Sequence, residues 1–169
     1  MNRLFVIVTI VVVVVLLLGG LVWLAAEKYA KSKRENPVEY YILHTSMTQT
    51  GDKLRNALVG EWKLVGAKST KTGKFVVLDP HNHYFKTFTL SNWTTVNYDS
   101  SSNAVDSAGG PYTLSGDVCT ETIETATGAK KQFLGARVPF RIRVIGDDYY
   151  QMGAGSRPSI EQQWRRIRE

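Results

Sequence analysis

The residue best placed to do chemistry is Glu121. The segment Val118–Thr125 reads as a β-strand, and alternate residues of a strand share a face. Cys119, Glu121 and Ile123 therefore point one way, and Thr120, Thr122 and Glu124 the other. Cys119 and Ile123 suit an apolar interior, which carries Glu121 inside with them. A buried carboxylate must find a partner or take up a proton. It can serve as a polar anchor for a ligand, or form an internal ion pair with an arginine such as Arg141 or Arg143. A register that turns Glu121 to water is the third possibility.

The remaining reactive side chains are poorer candidates. His81 and His83 lie two apart and could face one side of an extended chain, but His44 is the only other histidine. A stable metal site needs three or four ligands in a defined geometry, so no metal is expected. His83 stays a candidate ligand contact. No serine sits in a Gly-x-Ser-x-Gly turn, and Gly153-Ala154-Gly155-Ser156 lacks the lysine of a phosphate-binding loop. Cys119 has no neighbouring base and packs as a small hydrophobe. Neither an enzyme nor a cofactor is expected. An isomerase or cyclase would require a perturbed Glu121 or His83 beside a positioned substrate. Of the strand aromatics, Trp93, Tyr112 and Tyr150 are expected to line a cavity. Trp62 is expected to plug one end, under Arg166 or Arg168.

The elements that must position these groups are short β segments divided by turns from Gly60 onward. Glu61–Ala67 alternates around Trp62 and Leu64; Phe75–Leu78, His83–Leu90 and Trp93–Tyr98 follow. A polar loop is expected over Asp99–Gly110. Pro111–Ser115 and Val118–Thr125 flank a Gly116-Asp117 hairpin turn. Gln132–Ile145, Tyr149–Met152 and Ile160–Ile167 complete eight or nine strands. With no long helix between them, a parallel sheet is excluded, because its crossovers need helices.

The amino-terminal part is different. Leu4–Ala26 is a run of 23 residues without a charge, and roughly 20 apolar residues cross a bilayer as a helix. The run is longer than a signal-peptide core and lacks its small-residue cleavage pattern, which favours an uncleaved single-pass anchor over a removed signal. Residues 1–34 hold five basic residues against Glu27, a net +4 of the chain's +6. The rest is nearly balanced, so the charge is no argument for nucleic acid as a partner. The basic flank favours a globular part on the cytoplasmic side. Pro37 opens a helix whose stripe, Val38 to Leu43, could dock a protein partner. Residues 46–51 read as a linker, and Lys53–Leu58 as a short helix behind Asp52. One cysteine excludes an intramolecular disulfide. The division is thus an anchor with basic flank over 1–34, a juxtamembrane helix and linker over 35–53, and a β domain over 54–169.

Three ordered motifs give that β domain a resemblance. Gly60-Glu61-Trp62 resembles the Gly-x-Trp opening strand of the lipocalin superfamily. Gly109-Gly110-Pro111-Tyr112, leading through Gly116-Asp117 to Thr120-Glu121-Thr122-Ile123-Glu124, is similar to a segment of the bacterial lipocalin-like domains. So is Glu161-Gln162-Gln163-Trp164-Arg165-Arg166 in the last strand. The resemblance implies an all-β, antiparallel up-and-down barrel around a ligand cavity, and closure would remove exposed strand edges. It also implies a place outside the cytoplasm, against the charge of the flank, so the side of the membrane stays open. The expected function is capture of a small apolar or amphipathic, lipid-like ligand inside a membrane-anchored barrel. Glu121, Tyr112, Trp93, Tyr150 and His83 are the expected contacts. The alternative is a non-catalytic structural or interaction subunit whose barrel is filled by its own side chains.

Overall fold

The computed structural model describes residues 21–44, 51–155 and 160–168. They fall into two units, Met1–Glu35 and Asn36–Glu169. In the first, residues 21–35 form helix α1, with Lys31 and Glu35 paired at 3.8 Å one turn apart. Among the described residues no helix is long and apolar enough to cross a membrane. Residues 4–20 of the expected anchor lie outside the described residues, as do residues 46–50 of the expected linker.

The second unit is an antiparallel barrel of eight strands. They are β1 (Gly60–Lys68), β3 (Tyr84–Phe88), β4 (Asn92–Tyr98), β5 (Ala104–Ser115), β6 (Val118–Thr122), β8 (Arg137–Ile145), β9 (Asp148–Gly153) and β10 (Glu161–Arg166). Each pairs with the next in this order, and β10 returns to β1. Closure runs through Trp62 opposite Arg166 and Leu64 opposite Trp164, with a bulge between Leu64 and Gly66. Two short strands complete the sheet. β2 (Phe75–Val77) continues the β3 side of β1, and β7 (Thr125–Ala126) continues the β6 side of β5. An eight-stranded barrel is just wide enough for side chains or one small ligand.

One end is sealed by helix α3 (Gly51–Leu58), whose Leu54 and Leu58 enter the core beside Trp62, Phe88 and Tyr112. The Trp62 indole N–H donates to Leu58 O at 2.8 Å. Arg166 is the arginine over Trp62, 4.1 Å from the ring centre, and it donates to Val59 O and Ala57 O at 2.6 Å each. Gly60 lets the chain pass beneath it: φ is +130°, and a Cβ there would sit 2.5 Å from the Arg166 guanidinium.

Helix α2 (Pro37–His44) lies on the outside. Asn36 caps it by accepting from the Glu39 N–H at 3.1 Å. Val38 and Ile42 bury themselves against Tyr150 of β9, and the Tyr41 and Tyr150 rings are 4.5 Å apart. The stripe expected to dock another protein is thus largely used within the chain, with Leu43 left exposed. The buried Glu161 carboxylate ties both ends of this packing, accepting from Asn36 Nδ2 and Lys68 Nζ at 2.5 Å each.

Two stretches differ from the sequence expectation. Within Asp99–Gly110 the irregular part is only a turn, folded around the Asp99 carboxylate, which accepts from the Ser101 and Asn103 N–H groups at 2.8 and 2.9 Å. β5 starts at Ala104, because pairing with β4 continues through Gly109 and Gly110 despite their weak strand preference. The segment before Arg137 is a 3-10 turn, Gly128–Phe133, rather than strand.

Candidate functional site

Inside the barrel, Tyr84, Lys86 and Phe88 alternate along β3, and Lys86 stands opposite Thr95 of β4. Phe88 is a core residue, so the parity of the strand sends Lys86 inward as well. From the other wall Glu121 of β6, opposite Tyr112 and Val138, also points in. The two meet as a buried ion pair, each residue 3% exposed. The partner of Glu121 is therefore a lysine of β3, not Arg141 or Arg143.

The pair sits in a hydrogen-bonded chain. Lys86 Nζ donates to Gln151 Oε1 at 2.9 Å, which also accepts from the Tyr149 hydroxyl at 2.6 Å. Gln151 Nε2 donates to Gln162 Oε1 at 2.7 Å. Five rings surround the ammonium: Phe88, Trp93, Phe140, Tyr149 and Trp164, with centres 5.1 to 5.8 Å from Nζ. Their electron-rich faces compensate part of the hydration the lysine gives up.

Burial dominates the acid–base behaviour here. It raises the Glu121 carboxyl above its ordinary value, with the nearby Lys86 charge opposing. It lifts the Tyr149 phenol well above its ordinary value, and the Cys119 thiol to about 12. Tyr149 and Cys119 thus stay neutral near neutral pH, and Cys119 is no nucleophile.

Above the pair lies a cavity of about 260 Å³. Trp93, Ile123, Phe140 and Trp164 supply apolar wall, while Lys86, Glu121 and Gln151 form a polar floor. It reaches the surface beside Phe133 and Ile160, which are 49% and 51% exposed. At this mouth Lys130 donates to the Tyr84 hydroxyl at 2.5 Å and pairs with Asp106 at 3.1 Å. Its ammonium lies 4.5 Å from the Tyr84 ring centre.

Of the five residues singled out from the sequence, the structure brings Glu121 and Trp93 to the cavity. Tyr112 points inward but toward the sealed end, where its hydroxyl donates to Thr89 O at 3.0 Å and Arg55 lies over its ring. Tyr150 faces outward under α2, because Tyr149 and Gln151 on either side of it take the inward positions. His83 is exposed, just ahead of β3. Lys86, Gln151 and Trp164 were missed as site residues. The parity shared by Lys86 and Phe88 was the available signal for the first. Among the described residues no group of histidine, cysteine, aspartate and glutamate side chains could hold a metal ion.

Neither a protein-family model nor a curated protein matches the chain. Solved structures do. A lipocalin-like protein from Bacteroides uniformis ATCC 8492 is similar with a TM-score of 0.51 at 13% identity, over 66% of this chain and 99% of that one. An uncharacterized protein from Bacteroides eggerthii DSM 20697 gives a TM-score of 0.48 at 14% identity, over 64% and 98%. At such identity the first likeness speaks for the fold alone, and the fold of this chain is lipocalin-like.

Proposed function

We propose that the barrel is a binding module that captures a small apolar or amphipathic molecule in its cavity, without chemistry. The observation that carries this reading is the form of the interior. Apolar walls converge on a few fixed polar groups, the usual composition of a small-molecule site. The volume of about 260 Å³ lies just below the usual range of roughly 300–1,000 Å³. A cavity of about 150 Å³ admits benzene, so this one takes roughly ten non-hydrogen atoms. A lipid-like ligand would enter with a ring or short chain rather than whole.

The packed half of the barrel, from α3 and Trp62 up to Lys86, favours the second reading in part, since there the chain fills its own interior. A non-catalytic interaction subunit would need the remaining space to stay empty. The sequence further supports tethering the module to a bilayer through residues 4–26, on the strength of the uncharged run.

Capture is tested by thermal-shift titration of the full chain with a panel of small aromatic and aliphatic compounds. Wild type is expected to gain Tm with members of the panel. Ala108→Phe, which fills the cavity from its β5 wall, is expected to gain none. Equal responses from both proteins would place binding elsewhere, and no response from either would favour the interaction subunit.

A further inference from the structure

The polar groups facing the cavity are unevenly satisfied, and the imbalance describes a ligand head group. Trp164 is 1% exposed, yet its indole N–H has no hydrogen-bond partner. That N–H is closed off from the cavity, so only the ring of Trp164 faces a ligand. The Gln162 amide carbonyl accepts from Gln151, but its two N–H groups donate to no described residue. Lys86 has three donors, of which Glu121 and Gln151 use two. Against this surplus of donors stands the Glu121 oxygen that Lys86 leaves free.

Given the capture reading, on which this rests, we propose that the ligand is a small aromatic monocarboxylic acid, bound with one proton shared between its carboxyl group and Glu121. A carboxyl group supplies what the floor lacks: oxygens to accept from Gln162 and from the third Lys86 N–H, and one O–H for the open oxygen of Glu121. The rings of Trp93, Phe140 and Trp164 provide faces and edges for an aromatic body. Volume limits that body to one ring with a short substituent.

Proton sharing follows from the charges. Lys86 on β3 balances one carboxylate, and two carboxylates in contact do not both stay ionised. Of the other groups facing Glu121, the phenol of Tyr149 on β9 and the thiol of Cys119 on β6 are held neutral by burial, and Lys130 is ion-paired with Asp106 of β5. A carboxylate arriving from neutral solution therefore brings in one proton from solvent.

The test is titration calorimetry of the detergent-solubilised full chain with benzoate, in buffers of differing ionisation enthalpy, from about pH 7 to about 8.5. Benzamide, benzyl alcohol and hexanoate serve as comparison probes. Benzoate is expected to bind with uptake of one proton and a Kd that rises about tenfold per pH unit. Benzamide is expected to show no pH dependence, and hexanoate to bind more weakly than benzoate. Glu121→Gln is expected to abolish the proton uptake. Should that variant not fold, Gln162→Leu carries the test, with an expected loss of about tenfold for benzoate at every pH and less for benzyl alcohol. Binding of benzyl alcohol without benzoate, or of benzoate without proton uptake, overturns the acid while leaving capture intact. Failure of every probe overturns both.

Discussion

Lys86 on β3 and Glu121 on β6 reach each other through the barrel interior, and neither keeps appreciable contact with water. Placing such a pair in a core is expensive, and most of the expense falls on whichever charge loses its partner.

Lys86→Met should therefore destabilise the barrel by about 3–5 kcal/mol, because it strands Glu121. Adding Glu121→Leu should recover most of the loss. Denaturant unfolding of the two single variants and the double reads this directly. Additive losses in the double variant would mean the two charges do not depend on each other.

The same burial sets a pH dependence. Glu121 titrates above its ordinary value of 4.5 in the folded barrel. Between that value and the raised one, the folded state holds a proton that the unfolded chain has released. The stability from this proton is full below about 4.5 and is lost as pH rises through the raised value. The unfolding free energy of wild type relative to Glu121→Gln should therefore fall as pH rises above about 4.5. A constant difference would show that the carboxyl is not shifted.

Cys119 is fully buried, and burial raises its thiol to about 12. Iodoacetamide at about pH 8 should leave it unmodified in the folded protein and alkylate it once denaturant is added. Rapid alkylation without denaturant would mean that β6 opens readily.

Tyr150 and Trp93, both expected from the sequence to line the cavity, should separate in experiment. Tyr150→Ala removes the ring on which Val38 and Ile42 pack, so it should cost about 3 kcal/mol and loosen α2 while leaving capture unchanged. Trp93→Ala should enlarge the cavity and alter which compounds shift Tm. A loss of capture in Tyr150→Ala would tie α2 to the site.

The barrel was legible because its strands alternate and its turns carry glycine and aspartate, as at Gly116-Asp117. Glu121 was legible for the same reason, since Cys119 and Ile123 fix its parity. Its partner was not. A lysine in a strand ordinarily faces water, and nothing local to Lys86 says that Glu121 waits 35 residues away. Tyr150 misled because α2 buries it from outside, and a buried ring looks alike in sequence whichever face it occupies. Trp164 was visible as a strand aromatic, but its unpartnered N–H emerges only from the arrangement of the surrounding chain.

Capture itself is tested most directly by native mass spectrometry of the full chain extracted from its natural host. A single small-molecule adduct of constant mass is expected on wild type and absent from Ala108→Phe. An adduct that persists on Ala108→Phe, or a bare mass together with no ligand-induced rise in Tm, would contradict a binding barrel.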